Sequence, residues 1–550
     1  MAEHARRDLI SQLMHEHFDV VVVGGGITGA GIAREAALAG RRVALIERDD
    51  FACGTSSRSS RLVHGGVRYL EHGHLGLVFE SSRERRLLLA LAPHLVRPLA
   101  FTWPVYRGAR VPRWKLRAGL LMYDALALFR NVHRHEGLSA NDVLTAEPGL
   151  DRTALVGGAR YWDAATDDTR LTLSTALAAR NAGAVVVNHV DVIGGLRTGN
   201  SHTLSGVRVR DNLADEEFDI QGTVVINATG PWSDATASIT GAAERVSVRG
   251  SAGTHIAVPR QRLGNRDAIT LVSPLDGRVM FVLPAGAHAI IGTTERPASQ
   301  SPDEIRATES EVAYLLRSVN ARFPHASLTE NDVISAWAGI RPLAATRAGG
   351  HSANSASREH AILTRDDGLV SVTGGKLTTY RAMAADVLAH ATRALPTAPH
   401  RPAVSAPLSA TTPIVGGDIG SFAAVLRDIR SVVTDAAVAE RLAAAYGSRW
   451  RVVWHYTEQD ATLGERLSAA LPYLLAEVVY AVEHEMACTL ADILVRRMHL
   501  AFETRDHGRA AAARITPIVG ALLGWSEQQC AAELSAFDAT ATRLFRIESV

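Results

Sequence analysis

The stretch from Phe18 to Glu47 constrains this chain more than any other. FDVVVV (18–23) is a short β-branched run suited to a buried parallel strand. GGGITG follows at once and sets Gly24, Gly26 and Gly29 in G-x-G-x-x-G spacing. AGIAREAALAG then reads as a small-residue helix ending at Gly40, and RRVALIER as a second strand ending on Glu47. Gly24 permits the tight turn, Gly26 lets a pyrophosphate approach the backbone, and Gly29 lets helix and strand pack closely. The amides opening the helix, at Ile27 and Thr28, are placed to hold phosphate. Glu47, 23 residues after Gly24, is placed to accept hydrogen bonds from an adenosine ribose. The unit predicts a bound dinucleotide and by itself leaves NAD and FAD both open.

At 550 residues the chain exceeds a single hydrophobic core, so more than one domain is expected. Its 47% hydrophobic and 21% charged content fits a folded globular protein, and a formal net charge of +1 gives no overall field toward nucleic acid. Cys53, Cys488 and Cys530 are too few and too far apart for a disulfide framework or a zinc site, so a reducing cytosol is the default and no metal is expected. His484-Glu485-Met486-Ala487-Cys488 lacks the second histidine of a helical metal motif and reads as an ordinary amphipathic helix. MAEHARRDLISQLMHEH mixes both charges without an apolar core, so no signal peptide is expected. No apolar run of about 18 residues predicts a membrane span.

Three later segments extend the nucleotide unit toward a flavin. In FACGTSSRSSRLVHGGVRYL (51–70), Thr55, Ser56, Ser57 and Ser60 offer neutral hydrogen bonds to a phosphate or ribityl chain. Gly65-Gly66 there permits a flat ring to approach, with His64 beside it. TVVINATGPW (223–232) is a strand running into Ala228-Thr229-Gly230, small enough to pass the adenine side without obstruction. GLVSVTGGKLTTYRAMAADVLAHATRAL (368–395) runs a strand into Gly374-Gly375, followed by Lys376, Leu377 and Thr378, with a helix starting near Thr378 or Thr379. The positive end of that helix suits negative charge on a reduced flavin.

With these residues in view, the chain resembles the FAD-dependent, quinone-linked glycerol-3-phosphate dehydrogenases. GGGITGAGIAREAALAG, TSSRSSRLVHGGVRYLEHG, NATGPW, IIGTTE, AGIRPL and GGKLTTYR stand in that family's order across about residues 18–395. LLAEVVYAVEHEMACTLADILVRRMHLAF resembles its helical terminal domain. The resemblance implies an α/β fold: a Rossmann-like FAD-binding domain interleaved with a β-sheet substrate domain, plus a C-terminal all-α domain. The expected division is an N-terminal extension at 1–17 and a catalytic body at 18–395, with substrate pieces at roughly 95–165 and 240–335. A linker at 396–413 and a helical domain at 414–550 complete it. AGTHIAV (252–258) and GRVMFVLPAGAHAIIGTTE (277–295) suit the substrate sheet. DAAVAERLAAAYG and Leu474–Met498 read as helices, the latter as one long element.

The resemblance also implies a substrate, sn-glycerol 3-phosphate, oxidised to dihydroxyacetone phosphate by hydride transfer from C2 to FAD, which is taken to be noncovalently bound. The matching phosphate-binding positions are Arg68 and Tyr69, Arg341 in AGIRPL, and Arg358 in SREHAIL, where the register is looser. A guanidinium fork suits two phosphate oxygens at once. His255 is the leading base for the C2 hydroxyl proton. Arg341 and Lys376 would ease the developing alkoxide, or Lys376 would instead adjust flavin electronics, with Thr293 and Thr294 orienting hydroxyl groups. Electrons would pass to a respiratory quinone, which implies peripheral attachment to the inner face of the cytoplasmic membrane and leaves room for a homodimer. RVPRWKLRAGLLMYDALALFR (110–130) has the cations, Trp114 and apolar stretch of an interfacial element, and equally of an internal packing helix. Competing expectations are an oxidase that uses oxygen, an amino-acid oxidase on the same flavin fold, and a non-catalytic flavin-binding redox sensor.

Overall fold

The computed structural model describes residues 2–199, 202–241, 248–298, 300–344, 360–394 and 407–549. Two sheets and a helical domain make up the chain. In the first sheet the β-branched run predicted at 18–23 becomes the strand His17–Val23, its side chains from Val20 onward buried. It pairs in parallel with Val43–Ile46 on one side and Glu216–Asn227 on the other. Val370–Gly374 and Val185–Val187 extend the parallel set outward, and His360–Thr364 closes one edge antiparallel. Register aligns Val23 with both Asn227 and Ile46, so Gly24, Ala228 and Glu47 leave their strands at one common edge. Helices Ile27–Leu38, Asp168–Asn181 and Tyr380–Ala391 pack on one face of this sheet, where small residues such as Ala30, Ala33 and Ala36 allow close approach.

The second sheet is mostly antiparallel, with Val248–Pro259 between Ser335–Ala344 and His288–Gly292. Val279–Ala285 and Ala268–Val272 continue it to Val96–Tyr106 and Leu155–Thr166. Leu62–Val63 joins its far edge by pairing with Ala164 and Ala165. This last pairing carries the serine-rich segment from one sheet to the other. The second sheet therefore also uses Leu62–Val63 and Ser335–Ala344, beyond the substrate-domain pieces expected at 95–165 and 240–335.

Residues 2–15, expected as an extension, form a helix whose Leu13 is buried against the first sheet and whose Arg6 pairs with Asp211. Of the expected linker, 407–413 is docked: Arg34 donates to the carbonyls of Ser409 and Thr412. The C-terminal domain is helical apart from a small hairpin, Arg466–Ser468 with Leu471–Leu474.

The long helix predicted over Leu474–Met498 is a correction. The helix stops at His484, Met486 takes a left-handed φ of 57°, and Asp492–Arg497 form a wide π-turn. Glu485 turns its carboxylate to Arg170 at 2.6 and 2.9 Å, while Arg497 donates to the Glu485 carbonyl and reaches Asp50. Two buried ion pairs to the unit around the first sheet therefore replace helical continuity, and His484–Cys488 is a helix end rather than a helix.

Candidate functional site

The edge where Gly24, Ala228 and Glu47 meet opens on a cavity of ≈ 380 Å³. Gly24 has φ +108°, and a Cβ there would lie 2.8 Å from the Ala228 carbonyl oxygen. Gly29 packs so tightly that a Cβ would lie 1.9 Å from the Gly24 oxygen; it shapes the turn without lining the cavity. No side chain N-caps helix Ile27–Leu38, though Ser56 Oγ accepts from the Ile27 amide at 3.0 Å. Helix-start amides facing a cavity suit phosphate. Glu47 accepts from the amides of Gly25 (2.6 Å) and Asp49 (3.0 Å), and burial raises its pKa. These features fit a dinucleotide, with a glycine turn, open helix amides and a buried acid at the strand end.

Thr28, Thr55, Ser60, His64, Thr229, Gly230, Gly375, Lys376, Leu377 and Thr378 line the same cavity, as do Gly26, Ile27, Ser56 and Ala228. Besides Gly29, three residues expected at the cofactor do not line this cavity. Ser57 is buried with its hydroxyl donating to the Gly54 carbonyl, because the 3₁₀ turn at 55–57 points it back into its own loop. Gly65 lies beneath Tyr123, where a Cβ would meet the phenol oxygen at 2.2 Å. Gly66 borders a second cavity and takes φ +80° to turn the chain.

That second cavity, ≈ 190 Å³, adjoins the first and shares Ser60, Leu62, His64, Tyr69, Phe281 and Arg341 with it. Arg68, Thr293 and Thr294 line it, together with Arg278, Asp163 and Glu295. Arg341 donates to Thr293 Oγ1 at 3.1 Å. Lys376 Nζ sits 3.8 Å from the Tyr69 ring centroid and 3.4 Å from Ser81 Oγ, at the join of the two spaces. Arg68, Arg278 and Arg341 stand against two carboxylates, of which Asp163 is held by Arg85 and Glu295 by Arg278 at 3.0 Å. The small cavity is thus cationic on balance and suits a compact anion. Arg358 lies outside the described residues.

His255 lines the larger cavity at 3% exposure, stacked on Trp337 at 5.7 Å. Burial, then the nearby Arg341 and Arg61, pull its pKa to about 3, so the ring is neutral at physiological pH. Its Nε2 meets Ser60 Oγ at 2.9 Å.

The loop that carries Ser60 is pinned on all sides. Thr55 donates to the Ile340 carbonyl at 2.6 Å, and Ser59 bonds Asp168 through its amide and hydroxyl. Arg61 reaches His499 Nδ1 at 2.9 Å, and His499 Nε2 meets Asp167 at 2.9 Å. The His64 amide donates to Thr378 Oγ1 at 3.1 Å and the Gly65 amide to Asp163 at 3.0 Å. Tyr123 and Arg85 also bind Asp163. Sequence reasoning missed Asp163, and no local signal marks it.

It also missed Arg58 and Arg278. Arg58 lines the larger cavity, donates to the Cys53 carbonyl at 3.2 Å, and has no carboxylate within 4 Å among the described residues. Burial, with Arg543 and Arg496 nearby, lowers its pKa to about 10. Its signal was present in TSSRSSR, a segment credited above with neutral donors only.

A family model described as FAD dependent oxidoreductase matches residues 19–381, and one described as the C-terminal domain of alpha-glycerophosphate oxidase matches 408–530. The chain is 38% identical over 533 residues to a glycerol-3-phosphate dehydrogenase of Mycobacterium leprae, covering 95% of this chain and 88% of that one. Among solved structures, the glycerol-3-phosphate dehydrogenase of Bacillus halodurans complexed with FAD superposes with a TM-score of 0.81 at 28% identity, covering 99% of each chain. An L-alpha-glycerophosphate oxidase of Mycoplasma pneumoniae shares the fold at a TM-score of 0.54 and 20% identity, over 69% of this chain and 95% of that one.

Proposed function

We infer that this chain, which belongs to the FAD-dependent glycerol-3-phosphate dehydrogenases, oxidises sn-glycerol 3-phosphate to dihydroxyacetone phosphate and delivers the electrons to a respiratory quinone. The observation that carries the reading is the small cationic cavity opening directly on the dinucleotide cavity through Ser60, Tyr69 and Arg341. Arg68 and Arg341 bind the phosphate dianion, each charge-assisted hydrogen bond contributing about 1.5–3 kcal/mol. Tyr69 and Thr293 orient the glycerol hydroxyls. Lys376, held over Tyr69, places positive charge where the C2 oxygen becomes negative. His255, neutral in the free cavity, accepts the hydroxyl proton. Bound FAD supplies the hydride acceptor.

Arrival of the dianion beside Arg341 offsets one of the charges that depress His255, so substrate binding itself makes the imidazole more basic. An anaerobic titration following flavin absorbance tests the reaction: bleaching by sn-glycerol 3-phosphate but not by amino acids is expected. No bleaching by any phosphorylated polyol would refute it and favour a redox sensor.

Peripheral membrane attachment fits a quinone acceptor and has surface support. No described helix is long and apolar enough to cross a membrane. Helix Arg113–Leu126 instead presents Trp114 (73% exposed), Leu121 and Met122. The turn beyond it presents Leu128 (55%) and Phe129 (51%), both at positive φ. Two consecutive non-glycine residues in left-handed conformation, showing large apolar side chains to water, cost stability that a buried packing role would not explain. Lys115 and Arg117 on the helix, with Arg110 just before it, supply the cations of an interfacial element, while Arg113 turns inward to the Val156 and Leu138 carbonyls. Trp114→Ala with Phe129→Ser should abolish flotation with anionic vesicles while leaving flavin bleaching intact.

Oxygen as acceptor has in its favour the match of residues 408–530 to the C-terminal domain of an oxidase family. Turnover with a soluble quinone analogue at least tenfold faster than with oxygen is expected; stoichiometric peroxide at full rate would assign the oxidase.

A further inference from the structure

His255 cannot easily be the first group to receive the substrate's proton. It lines the larger cavity, whereas the cationic pocket is bounded by other residues. Its Nε2 is occupied by the Ser60 hydroxyl at 2.9 Å, and its Nδ1 is buried without a hydrogen-bond partner among the described residues. Trp337 covers one face of the ring. Gly292 lies so close to Cδ2 that a Cβ there would stand 2.2 Å away. Ser60, by contrast, lines both cavities.

A hydroxyl can accept one proton while releasing another, which neither an amide nor a carbonyl at that point could do. Resting on the oxidation proposed above, we propose that Ser60 is the relay through which the substrate's C2 hydroxyl proton reaches His255. The C2 hydroxyl donates to Ser60 Oγ, and the Ser60 proton passes to His255 Nε2. As the O–H bond breaks, the C2–H bond delivers its hydride to the FAD acceptor and C2–O becomes a carbonyl. One proton and one hydride leave the substrate, and Ser60 ends with the proton count it began with.

The surroundings hold the relay in place. The neighbouring residues anchor the serine on both sides, Ser59 to Asp168 and Arg61 to His499. The charged groups acting on the imidazole are Arg341, from strand Ser335–Ala344, and Arg61, from the same loop as the serine. Neither is a carboxylate, and Ser60 is the hydrogen-bond partner of His255 Nε2 among the described residues. A serine that merely touched the flavin would need no fixed bond to an imidazole, and its loss would weaken cofactor binding without altering proton transfer.

The test is anaerobic stopped-flow bleaching of the FAD-loaded enzyme at saturating sn-glycerol 3-phosphate across pH. General base catalysis is worth about 10²–10⁴-fold, so Ser60→Ala should slow bleaching about 10²-fold and flatten the pH profile. Ser60→Thr, which keeps the hydroxyl, should recover most of the rate. Ser60→Ala combined with His255→Ala should be no slower than the slower single variant, because the two act as one unit. Multiplying effects in the double variant, or a wild-type rate and profile in Ser60→Ala, would overturn the relay. Should Ser60→Ala lose its FAD, wild-type bleaching in H₂O/D₂O mixtures decides. A bowed dependence, from two protons in flight, supports the relay, and a linear one overturns it. Absence of bleaching in the wild-type enzyme would instead sink the underlying oxidation.

Discussion

Replacing Arg341 should disturb two measurable quantities in different directions. Arg341 lies on strand Ser335–Ala344 opposite Ser251, lines both cavities and donates to Thr293 Oγ1 at 3.1 Å. A forked grip on a phosphate dianion amounts to two charge-assisted hydrogen bonds of about 1.5–3 kcal/mol each. Because the residue is only half-buried, the lower end applies, about 3 kcal/mol. At about 1.4 kcal/mol per tenfold, Arg341→Ala should lose about 10²-fold in kcat/KM. The second effect concerns His255. After burial, the Arg341 charge is the next cause holding that imidazole at about 3. Removing the cation favours the imidazolium, so the pKa rises, while burial and Arg61 still keep it below the ordinary 6.5. The acid limb of kcat/KM against pH should therefore move upward in Arg341→Ala. Arg341→Lys separates the roles, since it restores the charge without the fork: the limb should return while much of the affinity loss remains. Steady-state kinetics with a dye acceptor from pH 3 to 9 measures both. An unchanged KM together with an unmoved limb would refute the placement of Arg341 between phosphate and base.

Arg58 faces the larger cavity without a carboxylate partner among the described residues, so a bound dinucleotide's phosphates are its natural counter-charge. Arg58→Ala should weaken FAD binding about 10–10²-fold and flatten its salt dependence in fluorescence titrations of the apoprotein, whose own melting temperature should hold or rise. His94 and His255 are both buried with pKa values near 3, against about 6.5 unfolded. The unfolded chain binds more protons between those values, so stability is intact above about pH 6.5 and falls as the pH drops toward 3, by up to about 1.4 kcal/mol per pH unit for each histidine. His94→Gln should make the melting temperature less pH-dependent across that window, and an identical slope would remove His94 as a cause. Arg497 (1% exposed) pairs with Asp50 (0%) across the flavin and helical domains. Arg497→Met strands a buried carboxylate and should cost about 3–5 kcal/mol in chemical denaturation, with Asp50→Asn/Arg497→Met recovering part of it.

How much of this was legible in the sequence depends on whether an interaction is local. The strand–turn–helix at 18–38 was legible because each glycine answers a constraint set by residues beside it: Gly24 by its own φ, Gly29 by Gly24. The serine-rich loop was legible as a region and not residue by residue. Ser56 and Ser57 are indistinguishable by composition, yet one caps an amide 29 positions away and the other folds back three residues to its own loop. The break after His484 was illegible for the same reason. A helix period runs through 474–498, and what interrupts it is Asp50, 447 positions from Arg497. Asp163 shows the limit most clearly. Alone in YWDAAT it reads as a strand acid, and it gains meaning only when the second sheet places it under the Gly65 amide, 98 positions earlier. The turn that borders both cavities is therefore aimed by a carboxylate of the second sheet. Asp163→Asn should then impair substrate oxidation before it impairs FAD retention, since the glycine fingerprint and Glu47, proposed to hold the dinucleotide, are fixed by other bonds. Equal loss of both would mean that the turn and the dinucleotide cavity are set by the same contact.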